Sequence, residues 1–230
     1  MKTNLSENNV KDANELFDWQ TKVKLSNGEV LGSNRPTKRE NIGEIPDRRV
    51  KRLNELVDLK NKSVLELGCL EGQHTLGLLQ YTDDVTAVDC RMVNVAKTLL
   101  AASIFNKTVK AFCCNADELT VEDGKFDVVF HCGVLYHLEN PVSHMKNLAE
   151  MTDCMLLDTH IVRGSNTECE GYGGKKVPEA KGIFAGRTSY AHWLQLDELK
   201  RLCSDLNFKI NELEYREERN GHRICWLLTK

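Results

Sequence analysis

From residue 63 onward, short apolar runs alternate with stretches whose apolar residues recur every three or four positions. "SVLEL" (63–67), "DVTAVD" (84–89), "VKAFCC" (109–114), "FDVVFHC" (126–132) and "CMLLDTH" (154–160) have the length and character of buried strands. Helical periodicity fills 73–80, 92–105 and 140–151 between them. This alternation predicts an α/β fold with a doubly wound, mostly parallel sheet. Ahead of it, "PDRRVKRLNELVDLK" places Val50, Leu53, Leu56 and Val57 on one helical face, with Pro46 and Asp47 as start signals. Beyond it, "LDELKRLCSDLNF" reads as a helix capped near Gln195–Asp197. "KINELEYR" and "HRICWLLTK" then read as strands joined at Asn220–Gly221, an antiparallel C-terminal hairpin. Residues 162–186 are glycine-rich without periodicity and read as a loop or lid. Residues 1–46, polar with isolated Phe17 and Trp19, read as an N-terminal arm on a domain spanning 47–230.

Composition narrows the setting. A chain of 230 residues with 41% hydrophobic and 28% charged residues can bury one good core. The polar N-terminus lacks the apolar segment of a signal peptide, and no apolar run is long enough to span a bilayer, so a cytoplasmic location and no membrane partner are expected. Nine cysteines, an odd number without CxxC, suit reduced thiols; Cys69, Cys90, Cys132 and Cys154 fall on or beside the strand runs. A formal net charge of −3 offers no general attraction to phosphate.

Candidate chemistry begins where the first parallel strand meets "GCLEG" (68–72). Strand, glycine turn and helix form an anion- and nucleotide-binding corner. The turn carries only Gly68 and Gly72, and Leu70 stands where a pyrophosphate-binding turn needs glycine, so the ligand's middle is not a pyrophosphate. Glu66, at the strand's carboxyl end, suits a ligand with a positive group, such as an α-amino group or a sulfonium. Asp89 closes the second strand, where an acidic side chain accepts from ribose hydroxyls. Asn115, Asp117 and the backbone amides of "CNADEL" follow the third strand and can face a flat heterocycle, Asp117 accepting from an exocyclic amine.

In order and spacing, "VLELGCLEG", "VTAVDCR", "CNADEL" and "FDVVFHCGVLYHLENP" resemble the motifs of class I S-adenosylmethionine-dependent methyltransferases over roughly residues 50–160. The resemblance implies S-adenosyl-L-methionine as cofactor. Glu66, Gly68 and Gly72 would then flank its methionine moiety, Asp89 would hold the ribose, and Ala116 and Asp117 would face the adenine. Leu70 departs from the glycine of many members.

Methyl transfer from a sulfonium is an in-line displacement, so the protein must align donor and acceptor and, for a hydroxyl acceptor, remove its proton. Three histidines fall at carboxyl ends of strands or in the loop after one: His131, facing the cofactor crevice; His137, in "GVLYHLENP"; and His160, beside Asp158. His160 is the favoured base, with Asp158 stabilising its imidazolium, and His137 is the other candidate. His131, His137, His160 and Asp158 lack compact metal-ligand spacing, so no metal is expected. In "RTSYAHWLQ", a helix lead-in, Tyr190 and Trp193 could form a substrate wall and Arg187 could bind an anionic group.

The leading expectation is O-methylation of a small molecule, a sugar or natural-product intermediate. "FDWQTKVKLSNGEVLGSNRP" with "GVLYHLENP" also resembles enzymes that modify the wobble uridine of tRNA, with Arg35, Lys38, Arg39, Arg48, Arg49, Lys51 and Arg52 touching phosphates. A third reading keeps the domain as a nucleotide-ligand-binding module without catalysis.

Overall fold

The computed structural model describes residues 8–25, 27–32, 43–179, 181–218 and 221–230. Asn220, proposed as the hairpin turn, and Arg35, Lys38 and Arg39 of the basic cluster lie outside them. The arm contributes α1 (Asn8–Leu16) and a two-stranded ribbon, β1 (Val23–Lys24) and β2 (Val30–Leu31). Next comes α2 (Arg48–Val57), capped by Asp47, whose side chain accepts from the Arg49 amide; it buries Val50 and Leu53, whereas Leu56 points outward.

The alternating core then follows as β3 (Val64–Leu67), α3 (Gln73–Leu78), β4 (Val85–Asp89), α4 (Met92–Ile104), β5 (Lys110–Cys113), β6 (Val128–Cys132), α5 (Pro141–Met151) and β7 (Cys154–Ile161). After it come β8 (Thr167–Cys169), β9 (Tyr172–Pro178), β10 (Tyr190–Leu194), α6 (Leu196–Asp205), β11 (Lys209–Glu218) and β12 (Gly221–Thr229).

Seven strands form the main sheet in the order β11-β12-β7-β6-β3-β4-β5. β3 to β7 are parallel, whereas β12 runs antiparallel to β7 and β11 antiparallel to β12. Apolar side chains alternate across it. Leu65, Val129 and Leu157 meet α5 and α6 on one face, while Val64, Val128, Phe130 and Leu156 meet α2 and the end of α3 on the other. The strand order reverses between β3 and β6, so a crevice opens at their carboxyl ends, the ligand position of open α/β sheets.

The 162–186 segment departs from the loop reading. β8 and β9 lie within it and pair with β10 in a separate antiparallel sheet of order β10-β9-β8. "RTSYAHWLQ" is likewise mostly strand rather than a helix lead-in. Residues 181–189, between β9 and β10, are free of regular structure, and Ile183–Thr188 among them line the crevice.

Candidate active site

The Gly68–Gly72 turn forms one wall of a cavity of about 240 Å³. Gly68 has φ +71°, and a Cβ there would lie 2.5 Å from Val134 Cγ2, so only glycine lets the turn pass under the loop after β6. Leu70 also adopts a left-handed conformation, φ +50°. Its amide donates to Asp89 Oδ2 at 3.1 Å, so the acid ending β4 fastens the unusual turn. Asp89 Oδ1 accepts from the Arg91 amide and the Asn94 side chain, both at 2.9 Å. Burial raises the Asp89 pKa against these hydrogen bonds. The carboxylate lines the cavity while also serving as a cap.

Two buried acceptors here have no partner among the described residues: Asp117 Oδ1 and Glu66 Oε1. Asp117 lines the cavity in the 3₁₀ turn Ala116–Glu118, and burial with Glu139 and Glu118 nearby raises its pKa. Glu66 lies beneath the turn, fully buried, with Oε2 accepting from Thr75 Oγ1 at 2.5 Å. Burial, aided by Asp89, pushes Glu66 up to about 7 despite that hydrogen bond. An orphaned buried acceptor requires a donor. Asp117, in the cavity wall after β5, fits an exocyclic amine, whereas Glu66 lies buried behind the turn and does not itself line the cavity.

His137 lines the cavity with Nδ1 2.9 Å from Glu179 Oε2. The Gly186 amide donates to the same oxygen at 2.7 Å, and Arg91 Nη2 donates to the Gly186 carbonyl at 3.2 Å. Gly186 presses so closely on His137 that a Cβ would lie 2.3 Å from its carbonyl oxygen. The carboxylate thus orients the imidazole and anchors the covering segment Ile183–Thr188. Burial, with Arg223 and Arg91 adding to it, lowers the His137 pKa although Glu179 opposes.

His160 is placed differently from the expectation. It does not line the cavity: its ring stacks on Trp193 with centroids 4.9 Å apart, Tyr136 packs against it at 4.6 Å, and Nε2 lies 3.3 Å from Arg223 Nη1. Nor does Asp158 support an imidazolium. It is wholly buried, receives hydrogen bonds from Arg223 Nε and, at 2.9 Å, Arg216 Nη2, and has Arg49 Nη1 at 3.7 Å. The cause is register, since β12 sets Arg223 opposite His160 and β11 sets Arg216 opposite Arg223, so guanidinium groups surround the carboxylate. Burial and Arg223 together lower the His160 pKa.

His131 also falls outside the cavity. Side chains alternate along β6, so His131 turns away from the face of Cys132, a lining residue, and meets His144 of α5 with the Nε2 atoms 3.0 Å apart. His144 Nδ1 in turn lies 2.9 Å from the Ala116 carbonyl, so the pair braces the Ala116 turn from behind. Gly72 starts α3 at φ +81° and shapes the turn without lining the cavity. Of the three substrate-wall candidates only Arg187 lines the cavity; Tyr190 donates to Glu139, with Lys176 Nζ 3.3 Å from its ring centre, and Trp193 is stacked on His160. The structure adds Thr21, Glu71, Tyr136 and Phe184 to the lining and Glu179 to His137. An acid between two glycines marks Glu71 locally, but nothing near Glu179 links it to a histidine 42 residues away.

Residues 65–153 match the family model described as methyltransferase domain. Among curated proteins, the chain is 26% identical over 112 residues to the tRNA U34 carboxymethyltransferase of Nautilia profundicola, covering 47% of this chain and 37% of that protein. It is 27% identical over 137 residues to the Proteus mirabilis protein of the same name, covering 57% and 42%. The chain thus spans less than half the length of either relative. Among solved structures, the N-terminal domain of EvdMO1, in the presence of SAH and D-fucose, aligns with a TM-score of 0.83 at 21% identity over 100% of this chain and 99% of that one. Magnesium protoporphyrin IX methyltransferase (ChlM) from Synechocystis PCC 6803, with bound SAM, aligns with a TM-score of 0.59 at 16% identity over 79% and 76%. At these identities the structural likeness speaks for the fold.

Proposed function

We propose a reaction for a chain that carries a class I S-adenosylmethionine-dependent methyltransferase domain: transfer of the methyl group to a hydroxyl oxygen of a small, sugar-like acceptor. The observation that carries this reading is the His137–Glu179 pair inside a covered cleft. With Nδ1–H given to the carboxylate, His137 Nε2 is left as the acceptor, and no described residue bonds it. A neutral imidazole held this way takes the proton of an acceptor hydroxyl as its oxygen attacks. The cofactor supplies a methyl group on a sulfonium that is its own leaving group. The Gly68–Gly72 turn, with the Glu66 carboxyl buried behind it, would take its amino-acid end; Asp89 would hold the ribose, and Ala116 with Asp117 the adenine.

His137 therefore replaces His160 as the proposed base, because Arg223 occupies the His160 nitrogen that would have to accept. Phe184, half exposed in the covering segment, offers an apolar face to a sugar ring, and Arg187 adds a cation beside it. The likeness to a domain studied with SAH and D-fucose extends over the whole chain, β8–β10 included, and supports an acceptor of that kind.

A second reading, modification of tRNA, draws on the curated relatives. Against it, the basic residues around α2 are already paired. Arg48 lies 2.8 Å from Glu214, Arg49 2.8 Å from Asp47, Lys51 3.2 Å from Glu44 and Arg52 3.0 Å from Glu55. Phosphate would have to displace those carboxylates. The test is incubation with methyl-labelled S-adenosylmethionine and, in parallel, free and nucleotide-linked deoxysugars and bulk tRNA. Label should enter a sugar hydroxyl; label entering tRNA alone would put the second reading first.

A further inference from the structure

Lys97, in the middle of α4, is 1% exposed, and its Nζ lies 2.7 Å from Glu71 Oε1 in the glycine turn, itself 2% exposed. An ion pair so deeply buried persists only if its remaining donors and acceptors are also met. The arm meets them. Glu71 accepts from the Gln20 amide at 2.8 Å, the Thr21 amide at 2.8 Å and Thr21 Oγ1 at 2.9 Å. Lys97 donates to the Asp18 carbonyl and sits 5.6 Å from the ring centre of Trp19. Trp19 is 1% exposed and donates Nε1–H to the Ala13 carbonyl at 2.9 Å. Four consecutive arm residues are thus tied to the turn through two charges that the sheet itself does not use.

Thr21 also lines the cavity, beside Glu71 and Gln73 at the start of α3. Ala116 and Asp117, the wall suited to a heterocycle, line the same cavity from the turn after β5. We propose that Thr21, held by the Asp18–Thr21 strap, walls the cofactor site around the amino-acid tail, and that Glu71 is the positioning residue that couples arm docking to occupancy of the site. The assignment rests on the reading that the cleft takes S-adenosylmethionine. Because the tail contacts the strap only when the strap is docked, tail binding and docking strengthen each other.

Hydrogen exchange on the full chain tests this, read at the Gln20 and Thr21 amides and, as a control, at β11 on the sheet edge. S-Adenosylhomocysteine at saturation should slow exchange at Gln20 and Thr21 about tenfold more than at β11. 5′-Methylthioadenosine, which lacks the amino-acid tail, should leave the strap unchanged at equal saturation. Equal effects of both ligands, or none from S-adenosylhomocysteine despite calorimetric binding, would overturn the assignment. Absence of calorimetric binding would instead show that the cofactor reading fails, and the strap assignment with it. As a second measurement, Thr21→Val keeps the shape and the amide but removes the hydroxyl. It should weaken S-adenosylhomocysteine several-fold and leave 5′-methylthioadenosine affinity unchanged; equal loss for both, or for neither, also overturns the proposal.

Discussion

Glu66 gives the sharpest quantitative test, because its burial is complete and its second oxygen lacks a partner among the described residues. Its pKa rises from an ordinary 4.5 to about 7 in the ligand-free fold. The folded-state value lies above the unfolded one, so stability from this group is fully present below about pH 4.5 and is lost as pH rises through about 7. That shift corresponds to about 3 kcal/mol in total, of which about 2.5 kcal/mol falls between pH 5 and pH 8. Glu66→Gln keeps the size and an acceptor for Thr75 but cannot ionise. In urea titrations of the ligand-free protein, the variant should gain about 2–3 kcal/mol on wild type between pH 5 and pH 8. A difference between the two proteins that does not change with pH would refute the buried-carboxyl argument. The same variant should bind S-adenosylhomocysteine more weakly at pH 8, because the negative charge behind the turn that would receive the ammonium is gone.

Asp117→Ala should weaken S-adenosylhomocysteine by about 1.5–3 kcal/mol in calorimetry, and unchanged affinity would remove Asp117 from the adenine wall. Asp158→Asn leaves Arg216 and Arg223 without their buried carboxylate and should cost about 3–5 kcal/mol in urea unfolding; a loss below about 1 kcal/mol would contradict the charge hub. His137→Ala should lower turnover of a sugar acceptor about 10²- to 10⁴-fold with cofactor affinity retained, and full activity would exclude it as base. Since burial lowers the His137 pKa, the acid limb of the wild-type rate should fall on the acid side of an ordinary histidine's; a rate governed by a group titrating above pH 7 would count against His137.

The strands and helices of the parallel core were legible because each is a local pattern. β4 spans Val85–Asp89 where 84–89 reads as a strand, and α4 spans Met92–Ile104 where 92–105 reads as a helix. The ends of three strands likewise placed Gly68, Asp89 and Asp117 along one cavity. What was not legible depends on partners distant in sequence. β8 is only three residues long and β9 carries two glycines, and their pairing in one sheet with β10 creates strands that local periodicity does not announce. His160 and Asp158 do lie on one strand face, but Arg223, 65 residues after Asp158, comes between their roles through the β7–β12 register. Glu71 is the converse case, an acid in a visible motif whose meaning depends on arm residues 50 and 51 positions earlier.

A crystal structure of the full chain with S-adenosylhomocysteine tests the central claim most directly. The ligand should lie in the cavity between the Gly68–Gly72 turn and the Ile183–Thr188 segment, with its adenine amine at Asp117, its ribose at Asp89 and its amino group toward the turn and Thr21. Density for the ligand elsewhere, or in the cavity with its adenine at the glycine turn, would contradict the account.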